Sequence, residues 1–145
     1  MTLRDAGGKR PTIGYVQKPS GLAWVDRSNA GRDWLRELPG RVDACRTKWR
    51  LRLDAPYEHS FVSIVFPATT ADGSRVVLKI QFPHAQSDHE HEALRRWNGN
   101  GAVRLLDYDP EHQALLLERC EPGAPLSSAG ADEALEAFVR LLPKL

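Results

Sequence analysis

At Trp49 the apolar residues stop recurring every three or four positions and begin to alternate, and that change of period does most to limit the fold. Trp49, Leu51 and Leu53 alternate with Arg50 and Arg52, the pattern of a half-buried strand. After the loop APYEHS comes the β-branched run FVSIVFPAT, and Ala71-Asp72-Gly73-Ser74 is a strong turn signal. The next strand, RVVLKIQF, puts Val76, Leu78, Ile80 and Phe82 on one face and Val77, Lys79 and Gln81 on the other. These three strands read as an antiparallel meander that Pro83 ends. SDHEHEALRRW then returns to helical spacing, with Ala93, Leu94 and Trp97 on one face. Asn98-Gly99-Asn100-Gly101 supplies a left-handed cap. AVRLLDYD and QALLLERC follow as two further strands about a Pro110-Glu111-His112 turn.

Upstream, Ser28 or Asn29 can cap a helix carrying Trp34, Leu35 and Leu38. Pro39-Gly40 predicts an interruption, then a second short helix over 41–48 with Val42 and Cys45. Residues 1–28, with Gly7, Gly8, Pro11, Pro19 and Gly21 among them and no sustained period, read as a flexible arm in which Trp24 finds no obvious place. Past the strands, EPGAPLSS is a linker, and Ala131 to Leu142 is amphipathic through Leu135, Phe138, Val139 and Leu142. The expected architecture is therefore α+β: a five-stranded antiparallel sheet with one inserted helix, preceded by a helical segment. Its divisions are an arm at 1–28, a lobe at 29–121, and a linker with a further helix at 122–145.

Composition excludes several functions. Twenty basic against nineteen acidic residues give a net charge of +1, too balanced for a dedicated nucleic-acid binder. Lys9, Arg10 and Lys18 are too sparse to change that. Cys45 and Cys120 are too few and too far apart for a disulfide framework or a zinc site, and read as reduced intracellular thiols. No apolar run is long enough to span a membrane and no hydrophobic signal core opens the chain, so the expectation is a cytoplasmic protein without a membrane partner. His84, His89 and His91 read as solvated histidines, since positions two apart point to different sides of a helix. Cys120 with His112 lacks a third orienting group for nucleophilic catalysis.

Lys79 is the one charged residue in its strand's centre, and periodicity alone permits a lysine turned to solvent. Glu90 has two readings. Ser87-Asp88-His89-Glu90 has capping-box spacing, in which Glu90 reaches back to Ser87. If the helix begins near His84, Glu90 instead joins the inward face and can meet Lys79. Glu92 suits a surface pair with Arg95 or Arg96.

Four stretches carry a family resemblance: GRDWLRELPGRVDACRTKWRLRL with APYEHSFVSIVFP, DGSRVVLKIQFP, EHEALRRWNGNGAVRLLDYD, and ALLLERCEPGAPL. Over about residues 30–142 the chain resembles the aminoglycoside and hydroxyurea resistance kinases, the streptomycin 6-kinase-like branch of the aminoglycoside phosphotransferases. The resemblance implies a protein-kinase-like small lobe and transfer of the γ-phosphoryl group of ATP, with Mg2+, to a hydroxyl of an aminoglycoside-like antibiotic. It further implies that Lys79 holds the α- and β-phosphates and that Glu90 fixes its direction. Leu117 would line the back of the pocket. The carbonyl of Glu118 and the N–H of Cys120, with Arg119 between them, would meet the adenine edge. The loop from Tyr57 to Ser63 would lie over the phosphates.

Two departures qualify that resemblance. APYEHSFVS has no glycine where protein kinases use a Gly-rich loop. The family's H-G-D-x-x-x-x-N loop, which orients the acceptor, and its Mg2+-binding Asp do not occur in these 145 residues. No catalytic residue or metal ligand is therefore assigned here, and the expectation is a nucleotide-binding front portion, truncated relative to its family and not competent alone. A competing expectation is a non-catalytic module that self-associates through apolar surface left uncovered near LEAFVRLLPKL, or an inactive remnant.

Overall fold

The computed structural model describes residues 12–13, 16–85 and 87–144. Two short strands, β1 (Thr12–Ile13) and β2 (Val16–Gln17), precede the long helix α1 (Asn29–Lys48). Then come β3 (Arg52–Leu53), β4 (Ser63–Thr69), β5 (Arg75–Gln81), α2 (Glu90–Trp97), β6 (Leu105–Asp109), β7 (Ala114–Glu118) and α3 (Ala131–Leu141). The second sheet is fully antiparallel, with strand order β3-β4-β5-β7-β6. The first three strands form the expected meander. The last hairpin inserts β7 beside β5 and leaves β6 at the edge.

Alternation along β5 gives the sheet two unlike faces. Val76, Leu78 and Ile80 join Ile64, Phe66, Ala68, Ala114 and Leu116 in the main core, where α1 covers them. Val77, Lys79 and Gln81 share the other face with Leu115 and Leu117, their partners or near partners across β7. There Leu94 and Trp97 of α2 close a smaller cluster with Leu115, Leu117, Leu105 and Tyr108.

Several expectations are corrected. Pro39-Gly40 does not split the first helix: α1 runs unbroken through Pro39. Proline removes the N–H that would reach the carbonyl of Leu35. The buried stripe Trp34, Leu35, Leu38, Val42 and Cys45 nevertheless continues across it, and burial of that stripe outweighs one lost bond. Ser28 caps the start, its Oγ accepting from the N–H of Gly31 at 3.0 Å.

Trp49 to Leu51 is not strand. It is the tail of α1, where Leu51 N–H donates to the Arg46 carbonyl (2.9 Å) and Arg50 N–H to the Thr47 carbonyl (3.3 Å). That is a Schellman closure, with Arg50 at φ 50° in the left-handed position usually held by glycine. The strand itself is Arg52 and Leu53, in register with Thr69 and Ala68 of β4, and Asp54 N–H donates to the Pro67 carbonyl just beyond it (2.9 Å).

The arm is only partly an arm. Its residues 1–11 lie outside the described residues, including Lys9 and Arg10. Val16, Leu22 and Val25, however, are buried in the main core, and Trp24 donates its indole N–H to the Phe61 carbonyl at 2.6 Å. Helix α2 starts at Glu90 itself, later than a start near His84, and His89 at its cap makes no side-chain cap bond. Ser87 Oγ bonds to the His84 backbone instead (2.8 and 3.0 Å), so Glu90 forms no capping box with it. His91 is not solvated: its ring lies flat on Tyr108, 4.0 Å between centroids, docking α2 onto β6.

Candidate functional site

The centre of the site is a charge placed on an apolar surface. Lys79 stands on the face that also carries Val77, Leu115 and Leu117, and its side chain is only 22% exposed. A half-buried ammonium there is costly unless paired. Because α2 begins at Glu90, that carboxylate sits at the end of the helix facing the strand. Its two oxygens lie 2.6 and 2.8 Å from Lys79 Nζ. An ammonium has three N–H donors, so at least one is left over for an anion after both contacts to Glu90.

Gln81 completes the arrangement, and sequence reasoning assigned it no role. Its Nε2 donates to Glu90 Oε2 at 2.6 Å, so that oxygen receives two donors. Gln81 is 2% exposed, and its Oε1 is buried without a partner among the described residues. Only the amide nitrogen can serve a carboxylate, which fixes the orientation of the side chain. The backbone of Gln81 is held as well, its N–H by the Gln113 carbonyl (2.9 Å) and its carbonyl by Trp34 Nε1 (3.0 Å). The signal in the sequence was position: Gln81 is two residues from Lys79, hence on the same face.

Ser63 is inside β4, buried, and opposite Gln81. The loop before it is the exposed part, with Phe61 and Val62 turned outward. Leu117 is buried beside Leu94 and Leu115, directly across from Val77. Val77 thus forms an apolar platform with Leu117 next to Lys79, a second position missed from the sequence. Glu118 ends β7, its Oε1 accepting from Arg104 N–H at 2.7 Å. Cys120 is an exposed thiol at the start of a tight turn, in which Gly123 at φ 67° packs against the Cys120 carbonyl. Lys79, Glu90 and Gln81 therefore touch, Val77 and Leu117 adjoin them, and Glu118 to Cys120 lie along the sheet's far end.

A second polar cluster lies at the other end of α1. Asp109 is buried; its Oδ2 receives Lys48 Nζ at 2.9 Å and its Oδ1 receives the His112 N–H at 3.0 Å and adjoins His112 Nδ1 at 3.1 Å. Burial pushes its carboxyl up, but the Lys48 and His112 hydrogen bonds outweigh this and lower it to about 2. Cys45 lies against the same group, its Sγ within 4.8 Å of an Asp109 carboxylate oxygen and a His112 ring nitrogen. Burial pushes its thiol up to about 12, which keeps it protonated at neutral pH. With the carboxylate engaged by an ammonium and the thiol neutral, the cluster is a bolt between α1 and the β6–β7 hairpin.

The fold and the site together define an α+β domain whose charged centre is a lysine–carboxylate pair bridging a central strand and the helix after it. The chain belongs to the aminoglycoside/hydroxyurea antibiotic resistance kinase family, whose model matches residues 48–145. It is similar to a streptomycin 6-kinase of Streptomyces griseus, 38% identical over 135 residues, covering 90% of this chain and 44% of the relative. A hydroxyurea phosphotransferase of Kitasatospora aureofaciens is 43% identical over 129 residues, covering 87% of this chain and 38% of the relative. A streptomycin 6-kinase of Streptomyces glaucescens is 38% identical over 104 residues, covering 72% and 34%. The chain thus spans less than half the length of the curated relatives it matches. Among the described residues no helix is long and apolar enough to cross a membrane.

Proposed function

We propose that this chain is the ATP-binding small lobe of an antibiotic phosphotransferase. The observation that carries the reading is the Lys79–Glu90 pair, made through both carboxylate oxygens at 2.6 and 2.8 Å. Such a pair aims a compact point charge out of a sheet face while keeping one donor free, which suits phosphate oxygens. Val77 and Leu117 give a flat apolar surface beside it for a base, and Glu118 to Cys120 supply backbone groups at its rim. Mg2+ would accompany the phosphates, neutralising charge that Lys79 alone cannot. Glu90 is not its ligand in this reading, because both its oxygens are taken by Lys79 and Gln81. The acceptor is an antibiotic hydroxyl by analogy with the named relatives. These 145 residues carry no His-Gly-Asp loop, and by themselves would bind nucleotide weakly and transfer nothing.

The test joins this chain to the C-terminal remainder of the Streptomyces griseus streptomycin 6-kinase and measures phosphate transfer from ATP to streptomycin. Transfer is expected, with Lys79→Ala lowering kcat/KM by about a hundredfold or more, equivalent to about 3 kcal/mol of lost transition-state stabilisation. Undiminished transfer by the Lys79→Ala protein would overturn the assignment.

A second reading, self-association, is favoured by one observation. Leu135, Phe138, Val139 and Leu142 are all more than half exposed along α3 and the turn after it. Sedimentation that shows a mass rising with concentration, independent of nucleotide, would support it; a constant monomer mass would remove it.

A further inference from the structure

The loop from Tyr57 to Val62 has no glycine of its own, yet at its middle the backbone of another segment comes unusually close. A Cβ added to Gly21 would lie 2.3 Å from the Ser60 carbonyl oxygen, so no other residue fits there without moving the loop. Three residues on, Trp24 Nε1 donates to the Phe61 carbonyl at 2.6 Å. The same indole meets Phe82 edge-on at 5.8 Å, and Trp34 meets Phe82 from another side at 5.6 Å. Phe82 in turn donates its N–H to the Val62 carbonyl (3.0 Å). The segment is itself anchored, since Leu22 and Val25 on either side of Trp24 are fully buried and Lys18 bonds to Asp26 at 2.9 Å.

We infer that Gly21 and Trp24 form a clamp that holds the Tyr57–Val62 loop in place over the nucleotide phosphates, making Trp24 a positioning residue. This rests on the nucleotide reading above. A loop rich in glycine can adapt its backbone around phosphates; this one instead has the Phe61 and Val62 carbonyls hydrogen-bonded from outside and the Ser60 carbonyl packed against Gly21. The glycine needed for close approach is supplied by a segment about forty residues upstream. Trp24 touches the loop's backbone and no part of the lysine pair, so its influence falls on the phosphates and not on the base.

The experiment compares Trp24→Phe with the parent chain in two measurements. In hydrogen exchange without ligand, the amides of residues 58–62 should exchange about fivefold faster, the worth of one neutral hydrogen bond, while those of β5 and β7 stay protected. In NMR titrations, Trp24→Phe should weaken ATP about fivefold and leave adenosine unchanged, because only the phosphates lie under the loop. A merely structural role would weaken both ligands together, and that result would overturn the clamp, as would unchanged ATP affinity. Gly21→Ala pushes the loop from the other side and should give the same selectivity should the tryptophan variant fold poorly. Lys79→Ala separates the two claims. If it leaves ATP affinity intact, the nucleotide reading fails and takes the clamp with it. If it weakens ATP while both clamp variants do not, only the clamp fails.

Discussion

Asp109 sits where α1, the β6–β7 hairpin and the main core meet, and Asp109→Asn isolates what its charge contributes. The variant keeps the side chain's shape and an oxygen to accept the His112 N–H, but loses the ion pair with Lys48. In the folded chain the carboxyl titrates at about 2 against an ordinary 3.8. At 1.36 kcal/mol per pH unit this is worth about 2 kcal/mol at neutral pH. The sign follows from the direction. A lowered folded value means stability that is complete above about pH 4 and is lost as pH falls through about 2. Urea denaturation of both proteins at steps between pH 7 and pH 2 measures it, and the difference between them cancels the other carboxylates. The parent should be more stable by about 2 kcal/mol at pH 7, and the gap should close below pH 3. A gap that is absent at pH 7, or that persists unchanged at pH 2, would refute the ion-pair account of this bolt.

Three other outcomes are expected. Gln81→Met removes the donor to Glu90 together with a buried oxygen that has no partner among the described residues, so denaturant stability should hold or rise while ATP affinity falls about fivefold; a parallel loss of both would make Gln81 simply a core residue. Gly31→Ala should destabilise the chain by about 2 kcal/mol or more in the same denaturation assay, because its Cβ would lie 1.7 Å from the Val25 carbonyl oxygen, even though alanine is the better helix former. Phe138→Asp, on an exposed face of α3, should change stability by less than about 0.5 kcal/mol and, under the self-association reading, return the sedimenting mass to that of a monomer.

The sheet was legible because β5 alternates, β4 and β7 are short apolar runs of strand length, and the turns between strands carry their own chemistry. Val76, Leu78 and Ile80 declare one face, and Gly73 at φ 88° and Asn98 at φ 47° stand where turn and cap residues were expected. Lys79 and Glu90 were legible as candidates through the family resemblance; periodicity alone left Lys79 able to face solvent and gave Glu90 a capping-box reading as well. The errors share a cause: local signals read without the burial that overrides them. Pro39 ends an isolated helix, but not one whose far half carries Val42 and Cys45 into the core. The Trp49-Leu51-Leu53 alternation belongs to a helix closure, in which an arginine takes the place that a glycine would have advertised. Gln81 and Trp24 stayed hidden because their partners, Glu90 and the Phe61 carbonyl, are set by tertiary contact and leave no periodic trace. The N-terminal segment looked unstructured for the same reason: Leu22 and Val25 are buried by position, without a repeating pattern.

The most direct test of the lysine–carboxylate site as a phosphate site is NMR mapping of ATP on the isotopically labelled 145-residue chain. The account predicts saturable shifts grouped at Val77, Lys79, Glu90, the 57–62 loop and 117–120, with affinity at least tenfold weaker in Lys79→Ala. Shifts gathered elsewhere, or an ATP affinity that Lys79→Ala leaves untouched, would contradict it.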